Sequence, residues 1–132
     1  MINLTIIKEW IEALRSGEYQ QGKHMLKVND DTYCCLGVLC NKVKPEEWKL
    51  EGEDYTIYNE EEVLPIEIRK ILGVEDRGGG FEINGSNTKL LEILKEKNIS
   101  EWKSYTLATL NDSYKHDLTF DQIADILETE FF

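Results

Sequence analysis

The chain has 132 residues, 41% of them hydrophobic and 31% charged; that is one domain's worth, able to bury roughly two-thirds of its unfolded surface, and too apolar for a disordered segment. Twenty-six acidic against fifteen basic residues give a formal charge of −11, which repels a phosphate backbone and argues against direct nucleic-acid binding. No apolar run approaches the ~18 residues of a membrane span, and Met1-Ile2-Asn3-Leu4-Thr5 lacks the basic and apolar regions of a signal peptide, so no membrane association and a cytoplasmic location are expected.

The first helix is signalled by Asn3 as its cap, by Ile2 and Ile7 as a hydrophobic staple, and by Ile6, Ile7, Trp10, Ile11 and Leu14 at helical spacing. Gly17 ends it. A polar segment, Glu18 to Lys23, leads into residues 24–28 and 32–33, which flank Asn29-Asp30-Asp31 and read as a short hairpin. Next comes Tyr33-Cys34-Cys35-Leu36-Gly37-Val38-Leu39-Cys40, the longest uncharged run and the natural centre of the core. A buried strand and a buried helix both suit it; Pro45 as a stop, and Leu36, Leu39, Cys40 and Val43 on one stripe, favour a helix over about residues 34–44.

Residues 46–62 carry eight acidic side chains and read as a solvated loop with one short strand, Tyr55 to Tyr58. Pro65 opens a helix striped by Leu64, Ile68, Ile71 and Leu72, and Gly73 stops it. A flexible loop ending in Gly78-Gly79-Gly80 precedes Phe81-Glu82-Ile83 and Asn84-Gly85, which read as a local hairpin. Thr88 caps a helix with Leu90, Leu91 and Leu94; Ser100 caps another with Trp102, Tyr105 and Leu110. Thr119 and Gln122 form a capping box, and Phe120, Ile123, Ala124, Leu127 and Phe131 line one face of the last helix. The expected architecture is α+β: a single domain of about six short helices on a small antiparallel sheet.

Three cysteines crowded into seven positions suit neither a disulfide framework nor zinc-ligand spacing, and read as small core hydrophobes. A thiol nucleophile would need His24 or His116 as its base. The triglycine is followed by a strand-like segment rather than a helix, so it is no phosphate loop, and no acidic cluster has calcium-loop spacing. No cofactor, metal or catalytic constellation is expected. One segment is overspecified for a loop: Arg15-Ser16-Gly17-Glu18-Tyr19-Gln20-Gln21-Gly22-Lys23. Arg15 and Lys23 offer charge for a phosphate or carboxylate, Tyr19 a stacking face, and Gln20 and Gln21 polar readout. On the competing reading Tyr19 packs over the core edge while Arg15 and Lys23 pair with carboxylates. Asn111-Asp112 is a second, weaker candidate.

Trp10, the run from Ala13 to Gly22, the run from Tyr33 to Cys40, Leu64-Pro65 and Leu110-Asn111-Asp112 with Phe120, Ile123, Ala124 and Asp125 together resemble a family of small uncharacterised proteins encoded by bacteriophages and prophages. The chain departs from that pattern at Ser113-Tyr114-Lys115-His116, where such proteins often carry a glycine. The resemblance implies a phage setting and no settled activity. By analogy with small phage proteins that disarm host defences, the expected partner is a small nucleotide-like signal, sequestered by this chain, or else a host defence protein blocked by the acidic surface, in the manner of a DNA mimic. Three tryptophans and six tyrosines add the expectation of a homodimer.

Overall fold

Asn3 closes the first turn of α1 (Leu4–Arg15): its side chain accepts from the Ile6 amide at 3.1 Å in the computed structural model, which describes residues 1–99 and 105–132. Ile7, Trp10, Ile11 and Leu14 are buried, and the chain turns away through Gly17 at φ 79°. The cysteine run is helical, as α2 (Cys35–Val43), with Cys34 in extended backbone before it. Cys35 through Cys40 are all buried, so α2 is enclosed on every side rather than along one stripe. The Trp10 indole N–H donates to the Cys35 carbonyl at 2.9 Å and fixes α2 against α1.

The described residues form six helices and three two-stranded pairings within one fold. The strands do not gather into one sheet. β1 (Gln20–Gln21) pairs in parallel with β2 (Thr32–Tyr33), and the expected local hairpin lies on the other edge of β2: Lys27 bridges Tyr33 antiparallel, with Val28 N donating to Thr32 O at 2.8 Å and Cys34 N to Leu26 O at 3.2 Å. β3 (Trp48–Glu51) and β4 (Asp54–Ile57) form an antiparallel hairpin where a loop with one strand was expected. Its buried residues are Thr56 and Ile57, too few to give the alternating pattern that identifies a strand.

α3 (Ile66–Leu72) follows Pro65 and ends at Gly73, whose φ of 74° is the left-handed stop. Ile68 and Leu72 are buried, whereas Ile71 faces outward. The glycine loop, expected to be flexible, is tied in: the Gly79 carbonyl accepts from Leu64 N at 2.8 Å and the Gly80 carbonyl from Ala108 N at 3.2 Å. β5 (Glu82–Ile83) pairs not with a neighbour across Asn84-Gly85 but with β6 (Tyr105–Thr106), antiparallel. Asn84 and Asn87 instead lead into α4 (Thr88–Glu96), where Asn87 rather than Thr88 is the cap, accepting from Leu90 N. Ile93 replaces Leu91 on the buried face.

The helix expected from Ser100 is overturned in its second half: Tyr105 is in β6, and α5 (Leu107–Asp112) begins after Thr106, whose hydroxyl accepts from Thr109 N. Residues 100–104, with Trp102, lie outside the described part. α6 (Phe120–Phe131) opens with the Thr119–Gln122 capping box and packs along α1 and α4.

Candidate functional site

The site segment and the Asn-Asp pair, about ninety residues apart in sequence, meet in space. Asn111 is the joint. It is fully buried, and its amide makes four hydrogen bonds: Oδ1 accepts from Gln21 Nε2 (2.9 Å) and Cys35 N (3.3 Å), while Nδ2 donates to Gly22 O and Asp112 Oδ1 (2.8 Å each). An interior amide with every polar atom matched specifies one arrangement of the chain. It holds the end of β1, the first turn of α2 and the end of α5 together.

Gln21 completes the joint, donating also to Leu118 O at 2.8 Å and accepting from Phe120 N at 3.1 Å. Lys23 reaches across, donating to Asn111 O at 2.9 Å and pairing with Asp117 at 2.6 Å. Its ammonium lies 5.8 Å from the centre of the Tyr114 ring. Asp112 Oδ1 accepts from the backbone amide of His24 at 3.0 Å. His24 has φ 74°, a left-handed backbone that a non-glycine residue adopts only when its surroundings hold it there. The same carboxylate faces the imidazole, with His24 Nδ1 3.9 Å from Oδ2.

Around this pair opens a cleft of about 550 Å³, lined by His24, Ala108, Thr109 and the run from Asp112 to Lys115. Tyr114 is 85% exposed. The loop Ser113 to Asp117 is a tight turn, with Asp117 N donating to Ser113 O at 2.7 Å, so Tyr114 and Lys115 are presented on a closed loop. In sequence His24 stands out only as a possible base for a thiol, and Tyr114 and Lys115 only within the departure from the resembled family at residues 113–116, which is the available signal.

The other predicted residues lie elsewhere. Arg15 pairs with Asp125 at 2.6 Å and Glu128 at 3.3 Å on α6, and the hydrogen bonds it donates to Glu128 and then Asp125 raise its pKa. Tyr19 packs edge-on against Tyr33, and its hydroxyl accepts from Asn41 Nδ2. Gln20 lies on the exposed β1, its side chain within 3.4 Å of the Thr32 hydroxyl. Arg15, Tyr19 and Gln21 do share a smaller recess of about 300 Å³ beside the start of α6, with Thr119, Phe120 and Asp121.

The cysteines sit inside the core. Burial pushes the Cys34 thiol up to about 12 and the Cys35 and Cys40 thiols well above their ordinary value, so none carries thiolate near neutrality. Among the described residues, no three His, Cys, Asp or Glu side chains stand together as a metal site, and no helix is long and apolar enough to cross a membrane.

Fold and cleft define a small α+β domain in which an internal hydrogen-bonded joint supports a surface recess. The family model described as Domain of unknown function (DUF8296) matches residues 2–131, and the chain belongs to that family. No curated protein and no solved structure matches it.

Proposed function

We propose that the protein is a non-enzymatic binding protein that sequesters a small nucleotide-derived signal, as a phage-encoded counter-defence protein acting in the host cytoplasm would. The observation that carries the reading is the composition of one cleft. In a chain of charge −11, Lys115, the neighbouring Lys23, the His24 imidazole and an exposed tyrosine ring gather at a recess of about 550 Å³. That volume falls within the ~300–1,000 Å³ range of small-molecule sites. Tyr114 would lie against the base, Lys115 and His24 would hold a phosphate, and Asp112 with the Thr109 hydroxyl would face a ribose. The overall negative field does not forbid this, because charges farther than about 8–10 Å are screened by salt. Gln21 then supports the site through Asn111; Lys23, Asn111 and Asp112 shape it, and Arg15, Tyr19 and Gln20 stand apart from it.

The test is mass spectrometry of small molecules released from the protein after expression beside active host signalling enzymes. A released nucleotide that Tyr114→Ala and Lys115→Ala lose, in folded protein, supports the reading; an empty cleft in every such preparation ends it.

A second reading, a protein-binding inhibitor, is favoured by the β3–β4 hairpin. It exposes Glu51, Glu53 and Asp54 around Leu50, itself 60% exposed, and is anchored by Trp48 Nε1 donating to Asn41 Oδ1. Neutralising those carboxylates one at a time should weaken such an inhibitor stepwise and leave a sequestering protein unaffected. The homodimer belongs to the same proposal: light scattering at micromolar concentration should give twice the chain mass, and a monomer mass ends it.

A further inference from the structure

At Tyr33 of β2, three aromatic rings converge on one ammonium. Lys27 Nζ lies 4.4 Å from the centre of the Tyr55 ring, 5.3 Å from Tyr33 and 5.4 Å from Trp48. Each ring is oriented by a second contact. The Trp48 indole N–H donates to Asn41 Oδ1, the Tyr55 hydroxyl donates to Asp30, and Tyr33 stands edge-on to Tyr19 at 84°. Asn41 ties the set together, since its Nδ2 donates to the Tyr19 hydroxyl. The rings are therefore arranged before any occupant arrives, as in a cation-binding aromatic cage.

We propose that Tyr33, Trp48 and Tyr55 form a recognition box for a methylated ammonium group, occupied in the free protein by the chain's own Lys27. Lys27 is a poor match for the place it fills. Its three N–H donors find no acceptor among the described residues, and no carboxylate forms an ion pair with it. Burial lowers its pKa, with Asp30 only partly opposing that. A primary ammonium is strongly hydrated, and packing among the rings removes part of that water with no protein acceptor in its place. A trimethylammonium group has no N–H to leave unsatisfied and presents the same charge to the ring faces over a larger apolar surface. Asp30 at the rim and the charge of −11 both favour a cation. This site lies apart from the nucleotide cleft and does not depend on it.

The experiment titrates tetramethylammonium, choline and free Nε-trimethyllysine into the full chain at constant ionic strength. Saturation-transfer NMR follows the probe methyl groups, and the ring protons of Tyr33, Trp48 and Tyr55 report the site. A tethered occupant competes at an effective concentration on the order of millimolar or above, so Lys27→Ala and Lys27→Met should bind the probes about tenfold or more tighter than the native chain. Trp48→Ala in the Lys27→Met background should abolish that gain. Preference for choline assigns the group to a small molecule, and preference for trimethyllysine to a modified side chain. Folded Lys27 variants that bind no tighter, or bind equally without Trp48, would overturn the proposal. Unfolding of both Lys27 variants would also overturn it, since a recognition site must survive loss of its resident.

Discussion

Gly37 is the tightest point of the core, and replacing it tests how α2 is seated. A Cβ at this position would lie 1.6 Å from the Leu26 carbonyl oxygen and 2.5 Å from its carbon. Nothing there can yield cheaply. Leu26 is fully buried, its carbonyl accepts from Cys34 N at 3.2 Å, and its amide donates to Glu61 O at 2.7 Å. In an open helix, alanine for glycine gains about 1 kcal/mol. Here that gain meets about 3 kcal/mol for forcing a packed interior apart and about 1 kcal/mol for the stretched buried hydrogen bond. The net expectation is about 3 kcal/mol of destabilisation, a large share of a domain's ~5–15 kcal/mol. Urea unfolding followed by fluorescence of buried Trp10 measures it: the midpoint should fall by about 1–3 M with the slope unchanged. Gly85→Ala is the control, because its Cβ would meet nothing within 4 Å, and it should stay within about 0.5 kcal/mol of the native chain. A Gly37→Ala protein as stable as the native one would refute this account of the α2–Leu26 contact.

Asn111→Ala removes all four bonds of the joint and leaves Cys35 N and Gly22 O without their partner, which should cost about 3 kcal/mol or more in thermal or denaturant unfolding; a loss under 1 kcal/mol would show that the segments are held otherwise. Glu130 is only 5% exposed at its side chain; burial opposes its ionisation, but Arg77 (2.7 Å), Asn87 and the Asn84 amide outweigh that and hold its pKa below the usual carboxylate range. A depressed folded pKa means stability that is complete above the unfolded value of about 4.3 and is lost as pH falls through the folded value. The stability gap between native protein and Glu130→Gln should therefore be wide at neutral pH and narrow in strong acid; a pH-independent gap would disprove the linkage. A thiol reagent at pH 8 should label none of the three cysteines in folded protein and all three in denaturant, and one fast-reacting thiol in the native state would revive a cysteine-based activity.

The sequence by itself determined what is local. Asn3, Gly73 and the Thr119–Gln122 box mark their helix ends because a cap is settled within three or four residues of chain. The cysteine run was legible as core, and as helix, from its lack of charge and its proline stop. The segment from Arg15 to Lys23 stood out by composition, but its geometry did not: Arg15 reaches α6 and Lys23 reaches α5 across long stretches of chain. Strand pairing was lost for the same reason. β5 finds β6 rather than an adjacent arm, and β1 pairs in parallel with β2, because two-residue strands carry too little periodicity to declare a partner. Only the tertiary structure could bring Asn111 to Gln21 and Cys35, and so build the cleft of His24, Tyr114 and Lys115 around it. A side-chain amide advertises four hydrogen bonds, but which chain segments complete them is decided by packing alone.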